Sequence, residues 1–174
     1  TNTHDDYHLP VMLDECVDAL LTDTDGVYAD ATAGGGGHSA AILQRLGPTA
    51  TLFCADRDEE ALRACEARLS QQCDGADRVR LVRTNFGDLR RALSAAAGSS
   101  DQGEAMLDGL LLDLGVSSHQ IDDPLRGFSF RFDGPLDMRM DRLDGTSSGA
   151  GTAAQIVNEY DGREIASLLS EYGE

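Results

Sequence analysis

The sequence has no lysine and no tryptophan: all 14 basic residues are arginine, set against 31 Asp and Glu, for a formal net charge of -17. Such a surface suits a salty cytoplasm, where solvated carboxylates keep a protein dispersed; an acidic patch built for a basic partner is the alternative. A pI near 4.3 ordinarily argues against a nucleic-acid partner, because phosphate binding draws on Lys and Arg. The scarcity is uneven, however. No basic residue precedes Arg45, whereas Arg126, Arg131, Arg139 and Arg142 fall in one short stretch, so net charge alone does not exclude RNA.

Other absences narrow the class further. No apolar run approaches the roughly 20 residues of a membrane helix. Residues 1–6 lack the basic and apolar parts of a signal peptide, so a cytoplasmic location is expected. Cys16, Cys54, Cys65 and Cys73 form no C-x-x-C pair and read as reduced, structural thiols. His4, His8, His38 and His119 are too scattered to suggest a metal site by spacing, and none is expected.

What is present is an α/β pattern. With 174 residues and 41% hydrophobic content the chain can bury a real core. Gly26–Asp30 reads as a first strand and Ser39–Leu46 as the helix after it. Thr51–Ala55 reads as a second strand ending at Asp56, followed by a helix over Glu59–Leu69. Val79–Val82 is a third strand, Leu89–Ala97 a helix, Gly98–Gly103 a loop, and Leu110–Leu112 a fourth strand ending at Asp113. Strands alternating with helices predict βαβ units and a parallel sheet, and the short apolar runs predict strands buried on both faces. From Gly115 to Gly151 periodicity is lost; Ala153–Asn158 and Arg163–Tyr172 then read as two short helices. A half-sheet of four strands leaves its last strand as an apolar edge, which points to a piece of a larger protein.

The first chemical signal is Asp30-Ala31-Thr32-Ala33-Gly34-Gly35-Gly36-Gly37-His38-Ser39, lying between the first strand and its helix. Glycines at such a turn let the backbone approach a ligand, and the helix N-terminus adds positive potential. Asp56, about twenty residues on, supplies a carboxylate able to accept both hydroxyls of a ribose. A dinucleotide fingerprint would need a third glycine where Ser39 stands. An acid opening the glycine loop, here Asp30, is similar instead to the S-adenosylmethionine (AdoMet) site of Rossmann-like methyltransferases. Asn85-Phe86, after the third strand, is then placed to meet an adenine.

A longer phrase is more specific. Asp113-Leu114-Gly115-Val116-Ser117-Ser118-His119-Gln120-Ile121-Asp122-Asp123, then Arg126-Gly127-Phe128-Ser129-Phe130, then Asp133-Gly134-Pro135-Leu136-Asp137-Met138-Arg139-Met140-Asp141 closely resembles the bacterial 16S ribosomal RNA (cytosine-N4) methyltransferase family. His8-Leu9-Pro10-Val11-Met12-Leu13-Asp14-Glu15 and Gly36-Gly37-His38 look like it as well, so the resemblance runs from about His8 to Glu174. It implies a Rossmann-like AdoMet-binding core over residues 8–118 and, over 119–174, the start of an α-helical insertion that contacts RNA. It implies a cofactor site of Gly34, Gly36, Gly37, His38, Asp56, Phe86, Asp113 and Gln120, with small-subunit ribosomal RNA as partner. Three departures stand out. His119 replaces a usual proline, Ala154–Asn158 lacks a usual tryptophan, and the family continues well past the position of Glu174.

The reaction so implied is attack of a cytosine amine on a sulfonium methyl group. An acceptor beside the methyl can bind an amine proton and stabilise the charge as it develops. Asp113, at a strand end, is the candidate for that catalytic role; a carboxylate that only positions cofactor is the alternative. Related amino-methyltransferases carry Asn- or Asp-Pro-Pro-aromatic here, and Asp113-Leu114-Gly115-Val116 departs from that. Arg126, Arg131 and Arg139 are candidate substrate contacts, to phosphate or base; pairing with Asp122, Asp123, Asp133, Asp137 or Asp141 is the alternative. Two rival functions remain: an AdoMet- or RNA-binding remnant without activity, and a nicotinamide-dependent oxidoreductase.

Overall fold

A four-stranded parallel sheet in the order β3 (Val79–Arg83), β2 (Thr51–Asp56), β1 (Val27–Asp30), β4 (Gly109–Leu111) organises the first part of the chain. The computed structural model describes residues 10–72, 74–98, 106–140 and 151–173. His8, Leu9, Cys73, most of the Gly98–Gly103 loop, Asp141 and Arg142 lie outside the described residues. The elements are α1 (Leu13–Leu20), β1 (Val27–Asp30), α2 (Gly37–Arg45), β2 (Thr51–Asp56), α3 (Glu59–Gln72), β3 (Val79–Arg83), α4 (Leu89–Ala96) and β4 (Gly109–Leu111), then α5 (Ser118–Asp122), α6 (Ala153–Glu159) and α7 (Gly162–Tyr172). Two compact units divide between Gly115 and Val116.

In the first unit the two central strands alternate sides, as the two-residue strand period requires. Tyr28, Leu52 and Cys54 face Val17, Ile42, Leu43, Leu62, Cys65 and Leu69 from α1, α2 and α3. Ala29, Phe53 and Ala55 face Val82 and Leu93, the latter on α4. Each large side chain so enclosed contributes about 1.5–3 kcal/mol. Tyr28 carries its polar tip into this core safely: its hydroxyl donates to the Asp23 carbonyl at 2.7 Å and accepts from the Asp23 N–H at 2.9 Å.

Burial on both faces holds for β1 and β2 but not for the outer strands. Val82 is the buried residue of β3, and Leu81, Leu110 and Leu112 are exposed. The order explains this, because β3 and β4 are the two edges. Pairing in β4 begins one residue earlier than predicted, at Gly109, which lies opposite Tyr28. A Cβ there would come within 2.8 Å of both Leu20 and Tyr28, so glycine is what lets the edge strand close in. The helix α1 is absent from the sequence-based elements, although Leu13, Cys16, Val17 and Leu20 carry helical spacing that brings Val17 into the core.

The second unit is held differently. Ser117 and Gln120 form a capping box on α5, Thr152 and Gln155 form one on α6, and Asp161 and Glu164 form one on α7. A 3-10 turn over Pro124–Arg126 leads into an extended segment. That segment receives the Ala153 and Ala154 N–H groups on the carbonyls of Asp137 and Leu136, at 2.8 and 2.9 Å. Among the described residues no helix is long and apolar enough to cross a membrane.

Candidate active site

Three acids stand at or just past the carboxyl ends of parallel strands: Asp30 on β1, Asp56 on β2 and Asp113 after β4. In open α/β sheets this is the end where ligands bind. Asp30 is 1% exposed. Its Oδ2 accepts from the Ser39 hydroxyl at 2.7 Å, and its Oδ1 accepts from the Thr32 N–H at 3.1 Å. Burial pushes this carboxyl above its usual range, against the pull of those hydrogen bonds. Asp30 therefore ties β1 to α2.

The glycine loop is shaped by what it packs against. Gly34 and Gly36 take left-handed φ angles of 50° and 77°, which glycine adopts without strain. At Gly36 a Cβ would also meet the backbone of Cys65 at 3.0 Å, so the loop lies directly on α3. Gly36 is the N-cap of α2 and supplies no side-chain cap. The first N–H groups of α2, from Gly37, His38 and Ser39, thus have no capping side chain and form an anion-attracting helix end.

Asp56 is half-buried, its Oδ2 accepting from the Gly34 N–H and its Oδ1 from the Asp58 N–H, both at 2.9 Å. Burial raises its pKa as well. The loop and the second acid are therefore built as one piece. The Thr84 N–H donates to the Asp56 carbonyl at 3.0 Å, which brings the chain after β3 beside Asp56. Phe86 follows there, 57% exposed, free to cover a planar group. Asn85 is engaged with the chain ahead of it, its Oδ1 accepting from the Asp88 N–H at 3.1 Å.

Asp113 is largely exposed, and its Oδ2 lies 3.9 Å from Nδ1 of His38, which is itself buried. Its backbone N–H donates to the Thr32 hydroxyl at 2.8 Å. Residues 30–39, 56, 86 and 113 of the first unit thus gather at one end of the sheet. Thr32 and Ser39 were given no role on sequence grounds; both are hydroxyl residues flanking the glycine run, and both are anchored to Asp30.

The remaining candidates belong to the second unit. Gln120 is buried, with its Oε1 accepting from the Ser117 N–H at 2.9 Å to close the α5 capping box. Arg126 departs from the expected RNA contact. It is 1% exposed, and its guanidinium donates to the Met140 carbonyl at 2.7 Å, so its charge is spent on the protein's own backbone. Arg139 grips Asp137 through two hydrogen bonds of 2.7 and 2.9 Å, which is the intramolecular pairing. Arg131 is exposed.

A model of the MraW methylase family matches residues 5–174. The chain belongs to that family. Among curated proteins it is 47% identical over 168 residues to a ribosomal RNA small subunit methyltransferase H of Heliobacterium mobile, covering 97% of this chain and 50% of that protein. It is likewise 47% identical over 169 residues to the protein of that name from Symbiobacterium thermophilum, covering 97% and 48%. The chain thus spans about half the length of the curated relatives it matches. Among solved structures, a SAM-dependent O-methyltransferase from Thermotoga maritima aligns at 17% identity and a TM-score of 0.40, over 45% of this chain and 29% of that one.

A methylase family calls for AdoMet, and the first-unit residues fit it. The Asp56 carboxylate holds two backbone donors yet stays half-exposed, so it can also accept ribose hydroxyls. The uncapped start of α2 suits a carboxylate, and the exposed Phe86 ring suits an adenine face. Among the described residues no cluster of His, Cys, Asp or Glu suits a metal ion.

Proposed function

We propose that this chain supplies the cofactor half of an AdoMet-dependent methyltransferase acting on the exocyclic N4 amine of a cytosine in small-subunit ribosomal RNA. The observation that carries the reading is family membership over residues 5–174, set on a sheet whose strand ends gather Asp56, the uncapped α2 and Asp113. When bound, the cofactor supplies an electrophilic sulfonium methyl group. Asp56 holds the ribose, the α2 N–H groups of Gly37 and His38 meet the amino-acid end, and Phe86 covers the adenine. Asp113 is the acceptor for the amine. The cytosine N4 lone pair is delocalised into its ring, and a carboxylate that binds one amine proton turns the lone pair toward the methyl and stabilises the charge that develops. Nδ1 of the buried His38 lies 3.9 Å from that carboxylate. Partnership with the small ribosomal subunit is part of this proposal, with the exposed Arg131 as a contact to RNA.

The test is transfer of labelled methyl groups from AdoMet to undermethylated small subunits, by this chain and by the full-length protein, followed by nucleoside analysis. N4-methylcytidine from the full-length protein is the expected product. AdoMet binding with no transfer by either form would leave the non-catalytic reading in place.

A further inference from the structure

The crevice between the ends of β1 and β4 is bridged by a side chain. The two strands pair as Tyr28–Gly109, Ala29–Leu110 and Asp30–Leu111, and the Ala31 N–H still donates to the Leu111 carbonyl at 3.0 Å. The next rung of a parallel ladder would join the Asp113 N–H to the Ala31 carbonyl. Instead the chain after β1 swings toward β2, where the Ala33 N–H donates to the Ala55 carbonyl at 3.0 Å. The strands part, and the Asp113 N–H is caught by the Thr32 hydroxyl at 2.8 Å across 81 residues of sequence. Thr32 is fixed in turn, because its own N–H donates to the buried Asp30.

Beyond Asp113 the chain has left the sheet, β4 having ended at Leu111. Leu114 and Gly115 are exposed, and Gly115 has φ 142° with nothing near the position of a Cβ. An exposed carboxylate is only as well placed as the backbone that carries it. We propose that Thr32 is a positioning residue of the site, its hydroxyl bridging the ends of β1 and β4 to set Asp113 where the amine must meet it. The proposal rests on Asp113 being the amine acceptor of a methyl-transfer site.

The experiment uses the full-length protein with undermethylated small subunits. Thr32→Val keeps the shape and removes the acceptor; kcat should fall about tenfold, as loss of one well-aligned hydrogen bond predicts, while KM for AdoMet changes less than about threefold. Thr32→Ser, which keeps the hydroxyl, should restore most of the rate. In an Asp113→Ala background Thr32→Val should add nothing, since Thr32 acts through Asp113. Hydrogen exchange gives a second readout: the Asp113 amide should lose protection in Thr32→Val and in the smaller Thr32→Ala, and keep it in Thr32→Ser. Unchanged kcat in Thr32→Val, or a full additional loss in the Asp113→Ala background, would overturn the proposal. A wild-type protein that transfers no methyl group overturns the functional reading, and the proposal with it. That failure is distinct, because it appears before any substitution is made.

Discussion

Up to Gly115 the molecule is held by burial; from Val116 on it is held by polar contacts. Every fully enclosed apolar side chain among the described residues belongs to the first stretch, from Val17 to Leu93. In the second, the buried residues among those described are Gln120 and Arg126, one closing a helix cap and the other binding carbonyl groups of residues 139 and 140. Apolar burial is non-directional and cooperative, so the first stretch is a platform. Hydrogen bonds to charged groups are directional and separable, which suits a segment whose shape is specified point by point.

The contrast is broken most severely at Phe53, 1% exposed between β1 and β3. Phe53→Ala should destabilise the first stretch by about 3–5 kcal/mol through lost transfer energy and an unfilled cavity. Chemical denaturation measures this, and AdoMet binding should weaken along with it. A loss below about 1 kcal/mol would mean that the sheet is not the source of stability.

Arg126→Met should have a smaller and more local effect. The carbonyls of Met140 and Arg139 lose their guanidinium donor, a cost of about 1–3 kcal/mol. Because it falls outside the apolar platform, the midpoint of global unfolding should stay near that of the wild type. Tryptic cleavage after Arg131 and Arg139 should speed up several-fold. A drop in global stability equal to that of Phe53→Ala would erase the distinction between the two stretches.

The same contrast explains what could be read from sequence. The central strands were legible because Tyr28–Asp30 and Leu52–Ala55 are apolar runs ended by an acid, and burial by packing leaves that trace. The glycine loop and Asp56 were legible for a similar reason: close backbone approach needs glycine, and a strand-end acid needs to be an acid. Exposure of β3 and β4 was not legible, since an apolar run does not say whether its strand is central or an edge. The role of Arg126 was hidden too. An arginine in an aspartate-rich stretch reads as a phosphate ligand or as a partner of those aspartates, and only the fold shows it turned inward onto backbone carbonyls. Thr32 left no signal either, because its partner is an amide 81 residues away.

The smallest effect sharpens the contrast from the other side, at Asp30, the most deeply enclosed carboxylate among the described residues. Asp30 has its pKa raised by burial above the ordinary 3.8, with the hydrogen bonds from Ser39 and Thr32 opposing the shift. For an acid raised in the folded state, the unfolded chain releases its proton first as pH increases. Between about pH 4 and the raised value the folded state therefore binds more protons, and this group's contribution to stability falls as pH rises. Above the raised value the cost is complete and constant. Asp30→Asn retains a carbonyl to accept one hydrogen bond and removes the titration. The difference in unfolding free energy, wild type minus variant, should thus become less favourable to the wild type from pH 4 upward and then level off. A difference that is flat would show that the Ser39 and Thr32 bonds balance burial, and one that grows in favour of the wild type that they outweigh it. Asp30 would then join Arg126 as a polar contact that holds its surroundings together, and the division between a platform built on burial and a segment built on hydrogen bonds would lose its sharpest case.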